Sequence, residues 1–214
     1  MKYLLPVLCL ILTIQVVGQD NKWKFGFDYN PGITKTVAPV FSFEPQTGFQ
    51  LGHSGFFKAD FAIAKNLELT GGLGYLNARN TITSHVFQFG EGGSHLLLTH
   101  HYLMIPLGLK YSIGSFFIQP EIGFGYNIGN TTIQRSIGVG GNNKVKWNDP
   151  FNNDDNYKFT STLFLTIGQE VQIGKTTVLY GIKGHRSLRP IAPENTYPNG
   201  VWYFGLSLMT GVRF

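Results

Sequence analysis

The sequence contains one cysteine, Cys9, which lies within the first apolar segment. The rest of the chain offers no disulfide and no thiolate ligand for a metal. Charged residues make up only 14% of the chain, against about 25% in a typical soluble domain. Aromatic residues, in contrast, reach 14%. The composition excludes a disulfide-stapled fold, and it argues against a disordered chain, which would be rich in charge and poor in aromatics.

The chain also lacks the clusters and fingerprints that carry common chemistries. Its formal net charge is +5, but no window concentrates Lys and Arg as a nucleic-acid surface would require. No Gly-x-Ser-x-Gly motif, P-loop or dinucleotide-binding fingerprint is present. No later apolar run approaches the roughly 20 residues of a membrane-spanning helix. We therefore expect no nucleic-acid partner, no cofactor and no catalytic site of these kinds.

The first eighteen residues, MKYLLPVLCLILTIQVVG, have the features of an export signal. Lys2 supplies the positive start, Tyr3 to Ile14 form the apolar core, and Val16 and Gly18 are small enough for a cleavage site. The apolar run is shorter than a spanning helix needs, and polar residues follow at once. The pattern predicts a signal peptide at residues 1–18 and one mature domain at residues 19–214 that begins with Gln19.

Period-two alternation dominates the remainder of the chain, which indicates β-strands with two unlike faces. In the first such segment, Trp23, Phe25, Phe27 and Tyr29 alternate with polar or small residues. Eight segments show this pattern, and most are long enough to cross a bilayer at a tilt. They are residues 23–30, 57–64, 67–75, 103–111, 116–128, 162–168, 177–183 and 202–214.

Short and long connections alternate between these segments. Gly114-Ser115 and Gly174-Lys175 predict two-residue hairpin turns, and Ala64-Lys65-Asn66 predicts a three-residue turn. The other connections, at roughly 31–55, 79–99, 130–157 and 188–200, are long and polar. This asymmetry is typical of outer-membrane barrels, whose periplasmic turns are short and extracellular loops long. The pattern predicts an all-β fold, an eight-stranded antiparallel up-and-down transmembrane β-barrel, with both termini periplasmic.

The alternation alone would also fit a soluble barrel with its apolar face inside. Eight strands of Phe, Tyr and Trp side chains would overfill so small an interior, so we place the apolar face outward, toward outer-membrane lipid. The opposite face then carries five acids and five bases, which must pair if buried. Glu121 is expected to pair with interior bases, Lys110 being one candidate. The predicted lumen network comprises Lys24, Asp28, Lys58, Asp60, Glu68, Lys110, Glu121, Glu170, Lys183 and Arg213.

The chain ends on Phe214, two residues after Val212 on the same apolar face. This ending is similar to the C-terminal signal read by the barrel-assembly machinery, which has a terminal aromatic and alternate hydrophobic residues before it. Met209 and Val212 depart from the usual glycine and aromatic. The resemblance implies that the assembly machinery is a partner and that Val212 and Phe214 form the assembly signal.

Two hairpins carry a more specific likeness. The stretch from Tyr102 to Gly129, YLMIPLGLKYSIGSFFIQPEIGFGYNIG, and the stretch from Phe56 to Tyr75, FFKADFAIAKNLELTGGLGY, resemble the PorT-like outer-membrane β-barrel family of Bacteroidota. In detail the likeness covers only these hairpins. It implies an outer-membrane barrel, and it links the protein to type IX secretion because some members of that family take part in it. Most members have no assigned activity.

Three polar groupings suggest chemistry more weakly. Most of the six histidines lie in or beside predicted loops, where solvated side chains are the simpler interpretation than a metal site. The oxygen-rich stretch from Asp149 to Asn156 lacks the spacing of a calcium loop. His185 and Ser187 share a strand face, with Glu170 on the preceding strand, so a lipid-modifying enzyme is an alternative.

These observations favour a non-enzymatic barrel that stabilises the envelope or binds a partner or ligand through its loops. An outer-membrane enzyme that uses the His185 region is the second hypothesis. A small pore ranks third, because side chains normally fill an eight-stranded interior.

Overall fold

The computed structural model describes residues 22–37, 46–85, 93–137, 143–148, 158–189 and 202–214. The predicted signal peptide and parts of the predicted loops lie outside these ranges. None of the described residues forms a helix long and apolar enough to cross a membrane. The described chain forms ten strands: β1 (Trp23–Val37), β2 (Gln46–Gly48), β3 (Gln50–Ala64), β4 (Leu67–His85), β5 (Gly93–Ile113), β6 (Phe116–Ile137), β7 (Asn143–Asn148), β8 (Phe159–Ile173), β9 (Thr176–Ser187) and β10 (Trp202–Arg213).

Eight of these strands close into an antiparallel barrel in the order β1-β3-β4-β5-β6-β8-β9-β10, and β10 pairs back onto β1. Closure leaves the barrel without an exposed sheet edge. The two short strands stand outside the ring, since β2 pairs only with the far part of β4 and β7 only with the far part of β6. The predicted fold class, an all-β eight-stranded antiparallel barrel, is confirmed.

The hairpin turns between β3 and β4, β5 and β6, and β8 and β9 lie at one end, together with the start of β1 and the end of β10. We name this the turn end and the opposite one the loop end. Gly114 and Gly174 each adopt φ +62° in their turns. A side chain is strained in that region, which explains glycine at the first position of both hairpins.

The turn between β3 and β4 differs from the prediction of three residues. Strand β3 continues to Ala64, which pairs with Leu67, so the turn contains only Lys65 and Asn66. A register shift between Ala62 and Ala64 absorbs Ile63 as the extra residue. A bulge of this kind leaves the chain length unchanged but shortens the turn, and alternation alone gives no sign of it.

Three of the predicted loops are partly strand, which corrects their bounds. Strand β1 runs to Val37, β3 begins at Gln50, β4 extends to His85, and β5 and β6 pair from Gly93 and Ile137 downward. Beyond the apolar band both faces of these strands carry polar residues such as Thr, Asn and His. Ladder hydrogen bonds do not need an apolar face, so the strands continue where the period-two signal has ended.

The two faces of the barrel differ as the alternation predicts. The outward positions of the ring strands carry exposed apolar side chains, for example Phe57, Leu69, Leu107, Ile122 and Leu208. The inward positions carry buried polar, charged and aromatic side chains. The apolar surface therefore faces away from the barrel axis, as a membrane requires and a soluble barrel does not.

Candidate functional site in the barrel lumen

The lumen holds three groups of ion pairs, and all ten charged residues predicted to face inward belong to them. The group nearest the turn end contains Lys24, Glu68, Lys110 and Glu170. Glu68 lies 2.5 Å from Lys24 and 2.7 Å from Lys110, whose ammonium also lies 2.9 Å from Glu170. Glu68 and Lys110 are direct cross-strand partners on β4 and β5. Their side chains therefore leave the sheet side by side.

Arg213 forms the second group with two carboxylates. Its Nη1 lies 2.6 Å from Asp28 Oδ1, and its Nε lies 2.6 Å from Asp60 Oδ2. Nη2 also donates to Asp28 Oδ2 at 3.2 Å. The planar guanidinium suits this forked arrangement, which a lysine could not reproduce. These residues join β10, β1 and β3, so the group connects the strands on both sides of the closing seam.

Glu121 lies at the centre of the third group. Its two oxygens accept from Lys58 on β3 and from Lys183 on β9, the second at 3.0 Å. Thr70 donates to the Lys58-bound oxygen at 3.2 Å, and Gln119 donates to Thr70 at 3.3 Å. Neither β3 nor β9 is a neighbour of β6 in the ring. The group therefore crosses the lumen instead of following one hairpin.

Glu121 pairs with interior bases as expected, but Lys110, the candidate named from the hairpin register, is not one of them. Lys110 pairs with Glu68 and Glu170, and Glu121 pairs with Lys58 and Lys183. The β5–β6 register does place Glu121 opposite Gly108, close to the expected diagonal. Closure of the barrel, however, brings side chains from non-adjacent strands within reach of Glu121. A register within one hairpin contains no information about such neighbours.

The charges of the three described groups balance one another. The turn-end group has two lysines and two glutamates and is neutral. The Arg213 group has one base and two acids, a formal charge of −1, and the Glu121 group has two bases and one acid, a charge of +1. The three groups therefore sum to zero. Buried charges are stable only when compensated in this way.

Large aromatic side chains fill the lumen on the loop-end side of Glu121. Phe56 and Phe164 pack at 6.0 Å between ring centroids, and the Lys183 ammonium lies 4.9 and 4.7 Å from them. Tyr102 and Tyr203 stack at 6.1 Å. All four rings are almost fully buried. They close the lumen above the ion pairs, and the cation–π contacts add to the stabilisation of the lysine.

The sequence analysis named only the charged residues of the inner face and gave these rings no role. The signal was present as parity: Phe164 and Tyr203 occupy positions that alternate with the outward residues of their strands. Glycines on the same inner face make room for them. A Cβ on Gly123 would lie 2.5 Å from the Phe164 ring, and one on Gly74 would collide with Phe56. The Phe164 and Phe56 rings therefore each occupy space that a neighbouring inward glycine leaves free.

His185 does not assemble with the residues proposed as its catalytic partners. It contacts the rings of Phe164 and Tyr203, at 6.0 and 5.8 Å between centroids. Ser187 accepts a hydrogen bond from the backbone N–H of Tyr203 at 3.0 Å. Phe164 is the cross-strand partner of His185, whereas Glu170 lies six residues along β8. Six strand residues span roughly 20 Å, so the structure does not bring Glu170 to the His185 and Ser187 of the alternative hypothesis.

A small cleft adjoins His185 toward the loop end, lined among others by Asn30, Thr34, Ser54 and Ser207. It has room for roughly one water molecule. The Nε2 of His185 and the Oδ1 of Asn30 are buried without a protein partner. Both residues line the cleft, which suits a bound water better than a lipid or peptide substrate.

The histidines of the loop end are dispersed among aromatic and amide partners. His53 packs against Tyr29 and Tyr75, at 6.4 and 5.8 Å. His101 hydrogen-bonds the Tyr75 hydroxyl through Nδ1, and His100 bonds Asn130 at 2.9 Å. Within the described ranges no three His, Cys, Asp or Glu side chains converge as metal ligands. The side chains of His85 and His95, and the stretch 149–156, lie outside the described residues.

The predicted assembly signal lies at the end of the closing seam. Phe214 exchanges backbone hydrogen bonds with Phe25, at 2.8 and 3.4 Å. Val212 pairs with Phe27 on β1 and Val178 on β9. The Phe214 side chain is exposed on the outer face. The last residues therefore complete the ladder that joins the first strand to the last.

Several solved membrane barrels resemble this chain weakly. Ail of Yersinia pestis is 8% identical, with 90% of this chain and 99% of that one covered and a TM-score of 0.42. Neisserial surface protein A is 14% identical, with coverages of 89% and 97% and a TM-score of 0.35. The outer membrane protease OmpT of Escherichia coli is 9% identical, with coverages of 91% and 96% and a TM-score of 0.43. Such values carry no information on ligand or activity.

A comparison with curated proteins gives no significant sequence match. The family model described as "Outer membrane protein beta-barrel domain" does match, over residues 15–191. That range takes in most of the chain and seven of the eight ring strands. The chain therefore belongs to the outer-membrane β-barrel domain family and is a protein of the outer membrane.

Proposed function

We propose that the protein is a non-enzymatic outer-membrane barrel with a closed lumen, whose loop end faces the exterior and contacts a partner or ligand. The observation that carries the proposal is the filled interior. Lys58, Glu121 and Lys183 cross the lumen, Phe56 and Phe164 pack against Lys183, and Tyr102 stacks on Tyr203 in the buried interior. Because the ion pairs and the aromatic rings both fill the lumen, a structural or surface-binding role is favoured over a conducting pore.

The geometry around His185 also favours a non-enzymatic protein over the lipid-modifying alternative. His185 lines a cleft with room for about one water, and Glu170 belongs to an ion pair at the other end of the barrel. A nucleophile and its base need direct hydrogen-bond reach in a site that admits substrate. The resemblance to PorT-like barrels adds a finer proposal, a link to type IX secretion and an origin in Bacteroidota.

Two measurements on the purified full chain test this function. In planar bilayers we expect no discrete conductance steps, whereas the variant Tyr102→Ala with Tyr203→Ala should show some leak because its upper block is gone. Steps of comparable size in both proteins would establish a pore and overturn the closed-lumen proposal. Incubated with outer-membrane phospholipid and lipopolysaccharide, the protein should leave both unchanged. Turnover that His185→Ala abolishes would establish the enzyme.

The secretion link has its own test in the bacterium of origin. Deleting the gene should leave proteins that use type IX secretion inside the envelope, and a plasmid copy should restore their release. Normal release from the deletion strain would remove that link without affecting the rest of the proposal.

A further inference from the structure

One row of the outer surface combines two cations with an aromatic ring. Phe204 on β10 is the direct cross-strand partner of Lys35 on β1 and of Arg186 on β9. Directly opposed residues of an antiparallel ladder lie on the same face. Phe204 shares the outward, exposed face of Leu206 and Leu208. Lys35 and Arg186 therefore flank Phe204 on the outside of the barrel, and we name them the cation pair.

This row lies close to the loop-end limit of the apolar band. On β10 the outward positions run from Phe214 at the turn end through Phe204 to Trp202, and Phe204 lies ten residues from Phe214. Ten strand residues measure about 33 Å, or roughly 25 Å along the membrane normal at a tilt near 40°. That is the height of the apolar band of an outer-membrane barrel. The cation pair therefore stands at the level of lipid headgroups, above the exposed Leu206 and Leu208.

No acid within the described part of the chain neutralises the cation pair. The side-chain carboxylates of that part are those of Asp28, Asp60, Glu68, Glu121 and Glu170, and every one of them is committed to the lumen. The Lys35 ammonium instead lies 5.4 Å from the ring of Phe49, which packs edge-on at 6.1 Å against Phe204. Among the described residues, the two cations flank Phe204 and no carboxylate pairs with them.

We propose that Lys35 and Arg186 bind the phosphate groups of an anionic lipid in the leaflet at the loop end, with its acyl chains along Leu206 and Leu208. The backbones of β1 and β9 are two strand spacings apart, about 10 Å, which lets two phosphates of one headgroup, or of two neighbouring lipids, be held together. The two positive charges favour an anionic headgroup. The apolar surface beneath them favours a ligand with acyl chains, which is a lipid. This inference rests on the proposed outward placement of the loop end, which makes that leaflet the outer one.

Native mass spectrometry of the full chain in a non-ionic detergent tests the site. The probes are lipid A, which carries phosphate, its dephosphorylated form, and inorganic phosphate. Each exposed cation near a headgroup contributes about fivefold in affinity, so Lys35→Gln with Arg186→Gln should weaken binding of phosphorylated lipid A about 25-fold. Dephosphorylated lipid A should bind the wild-type and double-variant proteins equally.

A matched control is available at the other end of the barrel. Lys65→Gln with Lys175→Gln removes two exposed lysines from the hairpin turns, and binding should stay within about twofold of the wild type. Each single variant of the cation pair should lose about fivefold, which keeps the test usable if the double variant does not assemble.

Two results would overturn the proposal. Equal binding by the cation-pair variant and the turn-end control would show that net charge alone attracts the lipid. Displacement of the lipid by millimolar inorganic phosphate would identify a site for soluble phosphate. Neither result depends on the conductance or turnover measurements, so failure here leaves the closed-lumen proposal standing.

Discussion

Glu121 is the one carboxylate that balances the charges of Lys58 and Lys183 in the lumen. It is the single acid of its group and compensates two lysines, so its loss would leave both ammonium groups buried without a counter-charge. Glu170 differs, because its partner Lys110 is also paired with Glu68. The two glutamates therefore form a natural pair for comparison: the same residue type on the same inner face, with unequal consequences of removal.

Glu121→Ala should destabilise the barrel by about 3–5 kcal/mol, the usual effect of leaving a buried charge unpaired. Glu170→Ala should cost clearly less, because Lys110 keeps Glu68 and Glu170 is partly exposed. Urea unfolding in lipid vesicles, followed by the heat-dependent shift in gel mobility, measures both. Equal losses for the two variants, or no loss in Glu121→Ala, would contradict the central position of Glu121.

Parity along a strand predicts which face a residue occupies, but it does not predict which residue it meets across the lumen. The alternation places both Lys110 and Glu121 inside, yet Glu121 pairs with other interior bases than the candidate Lys110. Whether a side chain points into or out of the barrel depends only on the local backbone, in which successive residues alternate between the two faces. Contact across the lumen depends on how eight strands tilt and stagger on closure, which no single segment encodes.

Individual strands show a second limit. Strand β5 runs from Gly93 to Ile113, whereas alternation was recognisable only from Leu103 to Tyr111. Within the apolar band each outward residue must be lipid-compatible, so the period is visible. Beyond the band, residues such as Thr99 and His100 pair in the ladder without that constraint. The half of β5 that was not predicted lies beyond the lipid, where nothing requires its outward residues to be apolar.

The outward face of β5 gives a direct test of the membrane environment. Leu107 is 51% exposed and lies six residues from the turn-end residue Ile113, which is 65% exposed. At a tilt near 40° that separation places Leu107 roughly 15 Å deeper, near the bilayer midplane. Leu107→Lys should destabilise the barrel by about 2–4 kcal/mol, and Ile113→Lys by no more than about 1 kcal/mol.

Folding of both variants into vesicles, compared by urea titration, gives the measurement, with Leu107→Ala as the control for lost apolar area. In a soluble barrel the outward face would meet water, and a lysine at either position would have little effect. Equal tolerance at the two positions would therefore argue against a bilayer around this face.

At the scale of the whole molecule, the barrel has two unlike ends. The turn end holds three two-residue turns, both ends of the seam and the neutral group of Lys24, Glu68, Lys110 and Glu170. The loop end holds the strand extensions, with β2 and β7 added to them. The sequence predicted this asymmetry from connection lengths alone, because turn residues such as Gly114-Ser115 leave no room for a loop. It did not predict β2, which is too short to show a period, or β7, where Val145 and Trp147 alternate with lysines within the predicted loop 130–157.

The function proposed for the loops depends on which end of the barrel faces the cell exterior. A long polar connection is compatible with the exterior, and short turns are typical of the periplasmic side. We expect epitope tags inserted near Asn143, at the start of β7, and near Asn195, in the predicted loop 188–200, to bind antibody on intact cells. Tags beside Gly114 and Gly174 should bind only after permeabilisation. Labelling at the glycine turns of intact cells would show that the barrel has the opposite orientation. Lys35 and Arg186 would then lie at the inner leaflet, and the lipid-binding measurement would have to use the lipids of that leaflet as probes.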